Sequence, residues 1–237
     1  MPGQLYLIPN AISGENYLTI PSYIAEIVSG LRYFFAEEEK SARKLLKRIA
    51  PEMNLGECQF FHCSEHTPLA NLKENLVKVK NERIGLISEA GMPCVADPGS
   101  ELVFWAHQEN MEVIPLAGPS SIFLALMASG LNGQNFSFAG YLPKDEKERF
   151  KKIKMLEKRS REEGQTQIFM ETPYRNQNLL KDILKVCLPK TFLCIAVDLT
   201  GEKQLVKTHP VQEWRKLSPS IPKSPALFLL GIAAGMT

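Results

Sequence analysis

Short apolar runs alternate with helix-patterned segments through the first half of the chain, and no other feature limits the fold as much. Gln4–Ile8, Tyr33–Ala36, Gln59–Cys63, Ile84–Ser88 and Glu112–Leu116 read as strands; the segments near Ile20–Gly30, Lys40–Ala50, Pro68–Lys80 and Gly99–Glu109 read as helices between them. Strand, helix and strand in succession need crossover connections, so the strands run largely parallel with helices on both faces of the sheet. The second half has another rhythm. A helix at Ser120–Ser129 precedes a strand at Phe136–Gly140, a charged helix at Asp145–Glu163, a strand at Gln167–Glu171 and a helix at Tyr174–Val186. Strands at Phe192–Asp198, Gln204–Thr208 and Ala226–Leu230 then follow closely, which predicts a mixed sheet. Proline and glycine break the pattern at Pro115–Pro119. The expected organisation is an N-terminal α/β domain over 1–116 and a C-terminal α/β domain over 117–237.

Composition narrows the class. The 237 residues carry 28 basic and 26 acidic side chains, a net charge of +2, so a polyanionic partner has to be met by local patches rather than by overall charge. No basic segment leads into an apolar run at the N-terminus, and no stretch approaches the roughly 20 apolar residues of a membrane span. Five cysteines without a CxxC pair fit reduced thiols in a cytoplasmic protein. Cys58, His62, Cys63 and His66 invite a zinc reading, but a strand sends His62 and Cys63 to opposite faces, and no metal is expected.

Two loops carry the strongest chemical signals. Ser88-Glu-Ala-Gly-Met-Pro-Cys-Val-Ala-Asp-Pro-Gly99 follows a strand, where ligands of open α/β sheets collect. Gly91 lets the backbone approach a ligand, Glu89 can accept hydrogen bonds from an amine or hydroxyl, and Asp97-Pro98-Gly99 makes a sharp turn into the next helix. A purely structural loop is the competing reading. Pro115-Leu-Ala-Gly-Pro-Ser-Ser121 also follows a strand and opens a helix that Ser120 can cap, and such a helix end suits a carboxylate. No GxGxxG, GxxxxGK[ST] or GxSxG pattern is present, which argues against a dinucleotide fold, a phosphate loop and a hydrolase elbow. Two runs are basic: Lys40, Arg43, Lys44, Lys47 and Arg48 without interleaved acids, and Lys144–Arg161 with acids mixed in. Each is either a solvated helix face or a phosphate-contacting one.

Taken in order, these residues resemble the tetrapyrrole methylase superfamily, the class III methyltransferases, and within it the ribosomal RNA small subunit methyltransferase I branch. The resemblance rests on Leu5-Tyr-Leu-Ile-Pro9, Ala36-Glu37-Glu38, Ile87-Ser-Glu-Ala-Gly-Met-Pro93 with Asp97-Pro-Gly99, Pro115-Leu-Ala-Gly-Pro-Ser-Ser121, Phe138-Ala-Gly-Tyr-Leu-Pro143 and Phe169-Met-Glu-Thr-Pro-Tyr-Arg175. It implies a homodimeric enzyme that binds S-adenosylmethionine between two domains. The cofactor contacts it implies are Pro9, Glu89, Ala90, Gly91, Ser120, Ser121, Phe169, Met170 and Ala226. The chain departs from the branch at Asn10-Ala-Ile-Ser-Gly-Glu-Asn16, at Glu38-Glu-Lys40 and at Glu89. The expected reaction is methylation of a ribose 2′-hydroxyl in ribosomal RNA of the small subunit. The alternatives are methylation of a small molecule such as a tetrapyrrole, or cofactor binding without catalysis. A hydroxyl is a weak nucleophile, so a base or a cation near the forming alkoxide helps. Glu37, Glu38, Lys40 and Arg43, just after a strand end, are the catalytic candidates; a charged helix start is their competing role.

Overall fold

The computed structural model describes residues 2–14 and 16–232. It divides into two units, Met1–Ser120 and Ser121–Thr237.

In the first unit five strands, β1 (Gln4–Ile8), β2 (Tyr33–Ala36), β3 (Gln59–His62), β4 (Arg83–Ile87) and β5 (Glu112–Pro115), form one sheet in the order β3-β2-β4-β1-β5. Every pairing is parallel. The connecting helices are α1 (Tyr23–Ser29), α2 (Glu39–Ile49), α3 (Leu69–Val79) and α4 (Ser100–Gln108). Side-chain alternation sorts the strands between two cores. Tyr6, Ile8, Phe34 and Ala36 pack with Ile24 and Val28 of α1 and Ala42, Leu45 and Leu46 of α2. Leu5, Phe35, Ile84 and Leu86 pack with Leu72 and Leu76 of α3 and Leu102 and Ala106 of α4. Cys58 and Cys63 fall in these two different cores.

This partition follows from handedness. The crossovers through α1 and α2 step toward the β3 edge, and those through α3 and α4 step back toward β5, so right-handed connections put the two pairs on opposite faces. β1 and β4 are neighbours at the centre, yet the chain leaves them toward opposite faces. The chain therefore parts beyond their carboxyl ends, which is where ligand crevices of open sheets form.

The second unit contains α5 (Ser121–Ser129), β6 (Phe136–Tyr141), α6 (Glu146–Glu163), β7 (Thr166–Glu171), α7 (Asn176–Val186), β8 (Phe192–Val197), β9 (Leu205–Pro210), α8 (Val211–Leu217) and β10 (Ala226–Gly231). Its sheet has the order β6-β7-β10-β8-β9; β6 and β7 are parallel and the other pairs antiparallel. The mixed sheet expected from the crowded strands is present. One face packs Phe169, Phe228, Leu193 and Ile195 against α6, α7 and α8; the other packs Ile168, Leu227 and Leu229 against α5.

Differences from the sequence reading have local causes. α1 starts at Tyr23, not Ile20, because Ile20 precedes Pro21 and is held extended at φ −89° and ψ 122°. α7 starts at Asn176 because a turn with Arg175 N donating to Thr172 O occupies the preceding residues. β9 runs two residues beyond Thr208, to Pro210. α8 had no counterpart in the sequence reading; its seven residues are too few for a helical period to show. Pro210, which has no N–H to lose, stands at its start.

Phe169 and Phe228 are fully buried and stacked, with ring centroids 6.0 Å apart. Phe228→Ala should cost the second unit about 3–5 kcal/mol, read as a lower denaturant midpoint. An unchanged midpoint would contradict this core.

Candidate active site at the carboxyl ends of the parallel strands

Three loops converge beyond β1, β4 and β5, and Asn10 ties the first two together. It is 3% exposed. Its Nδ2 donates to Ser88 O at 3.1 Å, Glu89 O at 3.0 Å and, more weakly, Ser41 Oγ at 3.4 Å, while its Oδ1 accepts from Ala11 N at 2.8 Å. Its backbone pairs with Gly91 in both directions, at 2.7 and 3.2 Å. The third loop lies against the first at Gly118, where a Cβ would come within 2.1 Å of Pro9 Cβ. Tyr23 Oη of α1 accepts from Ala117 N at 2.9 Å and holds that loop from the helix side. Gly91, at φ +69°, sits where an added Cβ would be 3.8 Å from Pro119 O. The glycine turn and the Pro-Ser segment are thus neighbours within one unit.

The loop after β4 is conformationally costly. Cys94 and Ala96 hold φ of +67° and +65°. Each such non-glycine residue costs on the order of 1–3 kcal/mol, and strain of this kind concentrates at functional sites. Gly99, at φ +122°, starts α4 where a Cβ would meet Leu86 Cδ2 at 2.8 Å.

Electrostatically this end of the sheet is negative. Glu37, directly after β2, accepts a hydrogen bond from Glu89 N at 3.0 Å. Asp97 lies half-buried in the same loop. Burial pushes its carboxyl up to about 7; the Glu37 and Glu89 charges add to the rise, and a hydrogen bond with Ser88 partly offsets it. A carboxyl that changes charge near neutral pH can take or release a proton under working conditions.

The catalytic candidates have separate positions. Glu37 faces the β4 loop. Glu38 is the N-cap of α2, accepting from Lys40 N at 3.0 Å and Ser41 N at 2.7 Å. Arg43 lies 4.2 Å over the Phe60 ring, pairs with Glu39 at 2.7 Å and donates to Leu55 O at 3.1 Å, so it clamps α2 to the segment before β3. Lys40 is exposed at the start of α2.

A model of the tetrapyrrole (corrin/porphyrin) methylases matches residues 25–214. The chain belongs to this methylase family. It is 30% identical over 212 residues to ribosomal RNA small subunit methyltransferase I of Escherichia coli O157:H7, covering 89% of this chain and 70% of that protein. Its match to the like-named Synechocystis protein is 31% over 217 residues, 90% and 70% of the two chains. Among solved structures, uroporphyrin-III-C-methyltransferase from Thermus thermophilus aligns with a TM-score of 0.54 at 16% identity, covering 99% of this chain and 94% of that one, a likeness of fold.

Members of this methylase family use S-adenosylmethionine, whose sulfonium and ammonium groups are both cationic. The acidic pole of Glu37, Glu89 and Asp97 fits such a ligand by charge, and the exposed Glu89 and Ala90 and half-buried Gly91 leave backbone open for close approach. Pro9 stays as the wall beneath Gly118. Ser120 is buried immediately before α5, and Ser121 is its first residue. In the second unit the side chains of Phe169 and Ala226 belong to the core under α6, α7 and α8, while half-buried Met170 faces the α5 side. Sequence reasoning valued Asp97 only as a turn residue and Asn10 only as a departure from the family pattern. Nothing in their spacing signals the shifted titration of the one or the bonding of the other, since both depend on strands distant in sequence.

The raised Asp97 pKa makes a signed prediction. A carboxyl whose folded pKa lies above its unfolded value favours folding while protonated, and that contribution fades as pH rises from about 4 through about 7. Asp97→Asn should therefore gain thermal stability relative to the natural protein between pH 5 and pH 8. A pH-independent difference in melting temperature would refute the buried acid.

Proposed function

We propose that this methylase transfers a methyl group from S-adenosylmethionine to a ribose 2′-hydroxyl of small-subunit ribosomal RNA, acting as a homodimer in the cytoplasm. The names of the relatives at about 30% identity support the RNA substrate. The observation that carries the chemistry is Asp97, a carboxyl poised near neutrality beside an open glycine turn.

S-adenosylmethionine, when bound, supplies a methyl group on a cationic sulfur and so carries the difficult part of the reaction. The chain's residues bind, orient and manage a proton. Glu89, Ala90 and Gly91 present carboxylate and backbone groups from a turn that Asn10 fixes on one side and Glu37 on the other. Such fixation supports catalysis because positioning accounts for much of the barrier lowering in a displacement. Asp97 accepts at its carboxylate the proton that the acceptor hydroxyl gives up. Glu37 keeps Asp97 basic through its charge.

Incubation with tritiated cofactor and small-subunit particles should label their RNA, at a rate that, with cofactor below saturation, rises with pH through about 7. Asp97→Asn should lower the rate on the order of 100-fold or more while still binding cofactor. A cofactor-bound protein that leaves the particles unlabelled overturns the ribosomal reading; full activity in Asp97→Asn overturns the role of that residue.

Cofactor binding should also expel protons. A cation placed beside Asp97 favours its charged form and lowers its pKa, so binding near pH 7 releases part of a proton. Binding heats measured in buffers of different ionisation enthalpy should differ for the natural protein and coincide for Asp97→Asn.

A further inference from the structure

The two basic stretches differ in how the fold uses them. On α6, Lys151 pairs with Glu148, Lys158 with Glu162 and Arg159 with Glu163, and Arg149 pairs with Asp182 of α7. On α2, Lys47 and Arg48 are exposed, and among the described residues neither is in an ion pair. Arg48 also lines a depression of about 470 Å³ between α2 and the segment that leads into α1. That volume falls within the range of roughly 300–1,000 Å³ found for small-ligand sites. Its walls mix apolar groups from Leu18, Ile20, Ala25 and Ile49 with polar ones from Asn16, Tyr17, Ser22 and Arg48. Leu18 is 95% exposed, an apolar side chain left in solvent on the lip of a basic face.

We propose that this depression receives an unpaired base of the substrate RNA while Lys47 and Arg48 contact the adjoining phosphates. The inference rests on the RNA reading above and locates its contact surface. The charge pattern suits a polyanion, and walls that mix apolar and polar groups suit a base, which has an apolar face and a polar edge; proteins that hold single strands combine cations for the backbone with surfaces that receive bases. A free anion would use the cations but not the walls, and an apolar peptide would use the walls but not the cations. Lys47 and Arg48 also stand in the last turn of α2, where cations favour the helix dipole. The test therefore has to separate RNA affinity from stability.

The test measures binding of a labelled unpaired RNA oligomer to the full chain with cofactor present, over a salt series. Each phosphate contact to a single strand contributes about 0.7 to the slope of log affinity against log salt. Lys47→Gln with Arg48→Gln should lower the slope by about 1.4, equivalent to roughly 25-fold in affinity at 0.1 M salt relative to 1 M. The matched pair Lys158→Gln and Arg159→Gln on α6, whose cations are paired with Glu162 and Glu163, removes the same charge and should change little. Ala25→Leu, which fills the depression, should weaken RNA binding while leaving binding of inorganic polyphosphate as it was. Cofactor affinity and melting temperature serve as controls that each variant folds. An unchanged slope in the α2 pair, an equal loss in the α6 pair, or equal losses of RNA and polyphosphate in Ala25→Leu would each overturn the proposal. These are binding readouts, so a natural protein that binds RNA through this face yet labels no small-subunit particle would sink the ribosomal reading alone.

Discussion

The buried carboxamide of Asn10 is the interaction on which the candidate site depends. Parallel strands end with carbonyls pointing into the loops that follow, and two of these, from Ser88 and Glu89, are answered by the Asn10 amide. Its backbone meanwhile pairs with Gly91. An apolar residue of similar size would leave those acceptors without partners in a buried place, at about 1–3 kcal/mol each. The cost would fall on the geometry of the turn at Gly91 as well as on global stability. Asn10 lies in the stretch that departs from the branch pattern, yet its hydrogen bonds hold the cofactor-type loop in place.

A turn held so firmly can carry strain and charge. Left-handed residues at Cys94 and Ala96 and a half-buried Asp97 would be poor choices in a free loop. Here they are tolerated because β4 lies in the middle of a parallel sheet with packed helices on both faces. Partial burial raises the Asp97 pKa, and the charges of Glu37 and Glu89 add to the rise. Fold energy is thus stored as an electrostatic preference for a cation at this end of the sheet, which matches the chemistry of a sulfonium cofactor.

Much of the site was legible because its signals are local. The glycine turn, the Pro-Ser segment before α5 and the acids after β2 are short motifs at strand ends, and the structure has them at strand ends. The pairing of those motifs was not legible. Glu38 and Arg43 resembled Glu37 in sequence position, but one caps a helix and the other stacks on Phe60, a ring from the next strand. Asp97 resembled a turn residue because its neighbours in space, Glu37 above all, are far off in the chain. Likewise the sequence shows which basic helix has acids among its cations, but only the structure puts Glu148, Glu162 and Glu163 in bonding range of Lys151, Lys158 and Arg159.

By itself the sequence determined the number and type of nearly all the elements, the parallel character of the first sheet and the mixed character of the second. Those follow from side-chain periodicity and connection length, both properties of contiguous residues. Tertiary structure alone decided the strand order β3-β2-β4-β1-β5, the face each helix covers, the tie between Asn10 and Gly91 and the titration of Asp97. Each of these is a relation between segments separated by tens of residues. Chain connectivity permits many such relations, and only the simultaneous burial of all the apolar faces selects one.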